Sequence, residues 1–204
     1  MYRQQSLITL DQFYEIKSLT KLESILSFID YSLFEEVFPY DSHKRGPKGY
    51  SKKQLFNTLI AMQIEQLSDI KALVMRLKSD PVLRRSLGYD YIENTPSAAT
   101  LNRFITLLSG TDILGRTFRR MVCKARKLGL IDGTNVAIDA SKLTSYEHAV
   151  PKSKIPIDDP TFPNWGGKLD TNGNFIKWFG WIMHALVDTY SGLPISYIIT
   201  PANI

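Results

Sequence analysis

The sequence predicts an α+β chain, with an N-terminal helical domain over residues 1–129 and a second domain over residues 130–204 that opens with three antiparallel strands. Three observations predict it. Apolar residues recur at helical spacing as far as Gly129. Beyond that glycine the period gives way to β-branched and aromatic runs such as Val136-Ala137-Ile138 and Trp178-Phe179-Gly180-Trp181-Ile182. A polar stretch, residues 144–176, carries Pro151, Pro156, Pro160 and Pro163 and reads as a long insertion between the first strand and the second.

The composition bounds the rest. The 204 residues are 44% hydrophobic, which suffices for one good core or two small ones, and 22% charged residues argue against wholesale disorder. A net charge of +5 leans towards a polyanionic partner. The single cysteine, Cys123, excludes an internal disulfide framework and fits a reducing compartment. No long apolar run follows the first residues and none approaches membrane-span length, so neither a signal peptide nor a membrane partner is expected.

In chain order, Leu22, Ile25, Leu26 and Ile29 predict one helix, capped by Thr20 and ended before Pro39. Residues 41–50 read as a basic linker, broken by Gly46, Pro47 and Gly49 and carrying His43, Lys44, Arg45 and Lys48. His43 has no partner at metal-ligand spacing. Ser51-Lys52-Lys53-Gln54 is a capping box that starts a helix running to about Glu65. Ser68 is the expected cap of the next helix, with Ile70, Leu73, Val74 and Leu77 inward. Asp80-Pro81 starts another, with proline at its first position and Gly88 at its end. Ser97 caps a helix whose core face is Leu101, Phe104, Ile105 and Leu108.

The last helix, residues 111–128, has Thr111 as its expected cap. Its apolar set is Leu114, Phe118, Met121, Val122, Ala125 and Leu128. Arg116, Arg119, Arg120, Lys124, Arg126 and Lys127 occupy the other side, and no acidic residue falls between Asp112 and Asp132. A cationic row of this kind is either a solvated face or a phosphate-contacting one, and spacing alone leaves both readings open.

Strands are expected over 135–139, 175–188 and 193–200, with Asn172-Gly173 as a hairpin signal. The first delivers Asp139 from an apolar run, which places this carboxylate at the carboxyl end of a central strand, where open α/β sheets set ligands. Such a carboxylate suits a hard divalent cation; the plain alternative is a strand-ending Asp that caps the next turn. Asp188 precedes the turn 189–192 and reads as a turn cap. His148 and His184 are weak candidates for metal or phosphate, and His184 is expected beside the sheet with its ring satisfied.

Two regions then carry a resemblance. One is Ser51-Lys52-Lys53-Gln54-Leu55-Phe56, Asp80-Pro81-Val82-Leu83-Arg84, and Thr95-Pro96-Ser97 leading to Leu101-Asn102-Arg103-Phe104. The other is Val136-Ala137-Ile138-Asp139-Ala140-Ser141, the segment from Trp178 through His184 to Asp188, Leu193-Pro194-Ile195 and Thr200-Pro201-Ala202-Asn203. In order and spacing the chain resembles the DDE transposases of bacterial insertion sequences. The resemblance implies a DNA-binding or dimerising helical domain, then the start of an RNase H-like catalytic fold. It implies that Asp139 is the first catalytic Asp and a ligand of Mg²⁺ in two-metal phosphoryl transfer. Its partners would be double-stranded DNA at insertion-sequence ends and a second copy of the chain, in the cytoplasm at the nucleoid. The cations set to meet DNA are Lys44, Arg45, Lys48, Lys52 and Lys53 in and after the linker, and Arg116, Arg119, Arg120, Lys124 and Lys127 on the last helix.

The chain departs from the family in two places. Ile182 stands where many relatives have lysine. The family's second Asp and its Glu fall beyond the Pro-Ala-Asn segment, so a truncated, catalytically incomplete transposase is expected. The competing readings are a DNA-binding module without catalysis and a helical dimerisation or interaction protein.

Overall fold

A computed structural model describes residues 9, 12, 20–39, 49–90, 94–145, 147–156 and 159–203. The chain forms two compact units, Met1–Thr117 and Phe118–Ile204, and the division falls within its longest helix. No described helix is long and apolar enough to cross a membrane.

The first unit is helical. Its elements are α1 (Lys21–Phe28), α2 (Ser32–Val37), α3 (Lys52–Ile64), α4 (Ile70–Ser79), α5 (Pro81–Ser86), α6 (Ala98–Ser109) and the first residues of α7 (Ile113–Lys127). Local chemistry sets most of the starts. The Thr20 hydroxyl accepts from Glu23 N–H, and the Glu23 carboxylate accepts from Thr20 N–H, which closes a capping box on α1. Ser51 and Gln54 make the same exchange on α3. Asp80 caps α5 ahead of Pro81, and Ser97 caps α6.

Three expectations for these helices change. The helix predicted up to Pro39 is two, because the chain turns extended at Ile29 before Ser32 starts again. Asp69, not Ser68, caps α4: its carboxylate accepts from Ala72 N–H at 2.8 Å. Thr111 does not cap α7; its hydroxyl donates back to the Leu108 carbonyl oxygen at 2.9 Å, and the helix begins at Ile113.

The helices close over one apolar cluster that includes Leu33, Leu73, Leu77, Leu87 and Leu101, each 1% exposed or less. Two polar contacts are built into it. Tyr89 is buried, and its hydroxyl lies 2.7 Å from Thr58 Oγ1. Thr58 gives its own proton to the Gln54 carbonyl oxygen at 2.8 Å, so Tyr89 is the donor. Tyr31 donates to Asn57 Oδ1 at 2.7 Å. Burial pushes both tyrosines up to about 12.

The second unit carries the rest of α7 and a four-stranded antiparallel sheet. The chain is therefore α+β as expected, with one strand more than the three foreseen. The strands are β1 (Val136–Thr144), β2 (Asn164–Leu169), β3 (Phe175–Asp188) and β4 (Pro194–Pro201), with a 3-10 turn at Lys152–Lys154. Every strand pairs with β3. Strand β1 lies along one edge of it, from Val136 opposite Asp188 to Thr144 opposite Gly180. On the other edge β4 pairs with residues 181–187, and β2 continues along residues 175–180.

Strand β2 sits inside the stretch expected to be irregular. Its sequence, Asn-Trp-Gly-Gly-Lys-Leu, hides it, because the glycines read as loop. The structure explains them. A Cβ on Gly166 would lie 2.6 Å from the Trp178 ring, and one on Gly167 would overlap the Phe175 ring. Aromatic rings from β3 fill the places where β2 lacks side chains.

Gly180 sets how closely β1 approaches. A Cβ there would overlap the Leu143 carbonyl oxygen and lie 2.8 Å from Ser145 N. Asp188 closes the far end of β3. It is 1% exposed, and it accepts from Gly133 N–H at 2.9 Å, Ser191 N–H at 2.9 Å and the Ser191 hydroxyl at 2.7 Å. The turn-capping role expected of this residue is thus the observed one.

Two outcomes are expected from this architecture. Gly180→Ala should destabilise the sheet by about 3 kcal/mol, read as a lower denaturant midpoint, because backbone atoms and no flexible side chain oppose the added methyl. Tyr89→Phe should cost about 1–2 kcal/mol, since Thr58 loses its donor. The raised tyrosines also set a pH dependence. Their contribution is fully present below the usual tyrosine value of 10 and is lost as pH rises through about 12. A loss of stability per pH unit above 10 that is shallower in Tyr89→Phe than in the wild type, from its lower starting value, is the check.

Candidate nucleic-acid interface

Helix α7 is strongly amphipathic, and its packing decides which of its cations face water. Within the second unit, the Phe118 ring meets Tyr197 of β4 edge-on, with centroids 5.0 Å apart. Val122 and Ala125 are half-buried, as their place one to two turns further on requires. Arg119, Arg120, Lys124, Arg126 and Lys127 are exposed. The helix ends at Gly129 with φ +70°, where Gly129 N–H bonds to the Arg126 carbonyl oxygen and Leu130 N–H to that of Ala125.

Part of the expected apolar stripe does not pack. Leu114, Met121 and Leu128 are 46%, 46% and 60% exposed. They recur every seven residues, in a row that runs between the Thr117 and Phe118 sides of the helix and is left uncovered. Ile105 on α6 is likewise 38% exposed, although periodicity grouped it with the core.

Arg116 behaves differently from the other cations. Its guanidinium donates to Glu36 Oε1 at 2.7 Å within the helical unit. That hydrogen bond, with the charges of Glu36 and Asp112 added, holds its pKa above the ordinary arginine value. Glu36 is an acidic partner that inspection of α7 alone could not supply. Asp158 and Asp159 are the acidic groups whose packing on the basic helix would favour the interaction-protein reading. Asp158 lies outside the described residues, and Asp159 accepts from Thr161, which keeps its carboxyl below the usual range.

Of the linker cations, Lys44, Arg45 and Lys48, with His43, lie outside the described residues. Lys52 and Lys53 open α3. The Lys52 ammonium is 5.9 Å from the centroid of the Phe104 ring on α6, and that of Lys53 is 4.4 Å from the Tyr31 ring.

Asp139 is in the sheet and exposed, as expected, but its position differs from the expected one in two ways. Strand β1 runs on to Thr144, so Asp139 is its fourth residue and not its last. Among the described strands β1 pairs with β3 alone, so it is an edge strand and not a central one. The reason is hydrogen bonding: Ala140 to Thr144 continue the ladder with residues 184–180 despite their polar sequence. Asp139 stands opposite Ala185, with Tyr197 beyond it on β4. Its side-chain neighbour is the Ser141 hydroxyl, 3.5 Å away.

Asp188 cannot assist from where it is. Its Oδ2 accepts from Ser191 in the turn it closes and its Oδ1 from Gly133 N–H ahead of β1, and these hydrogen bonds hold its carboxyl below the usual range. Glu147 is exposed, with its N–H on Ser145 Oγ. His184 lies in β3 with Nε2 3.2 Å from Thr200 Oγ1, the satisfied position expected of it, and His148 is exposed. No group of three His, Cys, Asp or Glu side chains among the described residues could hold a metal ion. One carboxylate and a hydroxyl do not make the oxygen cage that Mg²⁺ takes, so the donors around Asp139 do not by themselves fit that ion.

No curated protein and no solved structure matches the chain. Residues 9–107, which cover α1 to α5 and nearly all of α6, match the family model described as a transposase domain (DUF772). That match supports a transposase-related function.

Proposed function

We propose that the chain is a transposase-related protein that binds duplex DNA through its phosphates, with the cationic side of α7 as the contact. The observation that carries this reading is the exposure of Arg119, Arg120, Lys124, Arg126 and Lys127 on one helix, with no carboxylate in sequence between Asp112 and Asp132. DNA concentrates negative charge along its backbone, and each neutralised phosphate releases counterions. Lys52 and Lys53 at the start of α3 add positive charge to the helical unit, and so do the linker residues Lys44, Arg45 and Lys48 in sequence. Arg116 joins only when phosphate replaces Glu36, an exchange that costs little because the pair is partly exposed.

The finer reading is a DDE-type enzyme. In it, the antiparallel β1–β3–β4 arrangement is the opening of an RNase H-like fold, and Asp139 supplies one carboxylate of a magnesium site. Phosphoryl transfer at paired metals requires further carboxylates beside it. The role left to Asp139 is that of a contributor to a composite site. Phosphate contacts of the kind α7 offers position a protein on DNA without selecting a sequence.

The test is the salt dependence of affinity for a duplex of arbitrary sequence. The slope of log K against log salt changes by about 0.9 for each phosphate contact. Replacing Arg119 and Lys127 together by alanine should therefore make it shallower by about 1.8. An unchanged slope would remove α7 from the interface.

A further inference from the structure

Helix α6 carries a second exposed face whose chemistry differs from that of α7. Leu101, Phe104 and Leu108 are buried against the neighbouring helices α3 and α4. The opposite side presents Ala99, Asn102, Arg103 and Thr106, all exposed, at spacings of three, one and three, so they form one stripe. The side chains of Asn102 and Arg103 neither hydrogen-bond nor ion-pair with another described residue. Thr106 gives its hydroxyl proton to the Asn102 carbonyl oxygen at 3.2 Å.

We infer that this stripe reads base edges in the major groove of duplex DNA, and that Asn102 and Arg103 determine the sequence preference of the chain; the inference rests on the proposed DNA binding. Four observations carry it. The residue types are those that base edges demand: arginine pairs bidentately with guanine, asparagine with adenine, and small methyl-bearing side chains meet the thymine methyl. The face bears a single cation, so it is poorly suited to neutralising phosphates and well suited to discriminating among hydrogen-bond patterns. No Asp or Glu lies between Glu93 and Asp112, so nothing on the helix repels a polyanion. Finally, the helix is held firmly. Ser97 caps it, Tyr50 donates to the Asn94 carbonyl oxygen at 2.5 Å just ahead of it, and its apolar side is fixed in the core.

The dimensions agree. Twelve residues make a helix of about 18 Å, and a major groove of about 12 Å width admits one. Lys52, beside Phe104, lies within the same helical unit to meet a flanking phosphate. Ile105 and Leu107, 38% and 40% exposed, flank the stripe, but its centre offers no aromatic or large aliphatic anchor of the kind that dominates protein interfaces, so a protein partner fits it less well.

Selection of bound duplexes from a randomised pool tests the inference, with the full chain, Asn102→Ala, Arg103→Ala, and the Arg119, Lys127 double alanine variant side by side. Affinity for a fixed arbitrary duplex is measured against salt for each. Thermal melts confirm that the exposed substitutions leave the fold intact. The expected result is an enriched motif for the wild type. Asn102→Ala and Arg103→Ala should each lose preference at one or two positions, by roughly 5- to 150-fold, while still binding the arbitrary duplex. The double variant should keep the motif and lose salt slope instead. A wild type that binds with a steep salt slope and no motif overturns the inference and leaves the DNA-binding reading standing. So does a motif untouched by both α6 substitutions. A wild type that binds no duplex at all overturns both.

Discussion

Strand β3 is the constraint on which the second unit depends. Each of the other three strands is hydrogen-bonded to it and none is described as paired to another. Its position therefore fixes the place of every side chain considered for function there. Through the β1 register it sets Asp139 opposite Ala185, well short of the strand's end. Through β4 it holds Tyr197, whose ring takes Phe118 and so turns one side of α7 inward. The cations of that helix face water because the strand beneath has already claimed the Phe118 side. Gly180 and Asp188 are what let β3 do this, one by admitting β1 at close range and the other by closing the turn into β4.

The two exposed helix faces suit different tasks. On α7 charge dominates, and charge answers to the phosphate backbone whatever the sequence. On α6 hydrogen-bonding side chains dominate, with one arginine among them. Long-range attraction and short-range discrimination place conflicting demands on a single face, since a crowd of lysines binds everything anionic. Distributing them over two helices resolves the conflict. Asp139 belongs to neither face; it is an exposed carboxylate on an edge strand with a serine hydroxyl for company.

The sequence made legible what local chemistry decides. The capping box of Ser51 and Gln54, the Asp80-Pro81 start and the Ser97 cap each depend on atoms within three or four residues, and each was found where expected. The turn role of Asp188 was equally local. What depended on distant partners was not legible. Strand β2 looks like loop until the rings of Trp178 and Phe175 are seen lying where its glycines lack side chains. The length of β1 is decided by its ladder with β3, not by the polarity of Ala140-Ser141-Lys142. The apolar set of α7 could be listed from its period, but only packing separates the half-buried Val122 from the exposed Met121 beside it. The pairing of Arg116 with Glu36 spans eighty positions and left no local signal. The linker cations fall outside the described residues and stand as they did.

The central claim is that duplex DNA lies against α7. Chemical acetylation of lysines, read residue by residue by mass spectrometry with and without a saturating duplex, tests it most directly. The account predicts that Lys127 is protected on binding, with Lys52 protected to a lesser degree, while Lys168 and Lys142 in the sheet react as before. Protection confined to the sheet lysines, or equal reactivity of Lys127 with and without bound DNA, would contradict it.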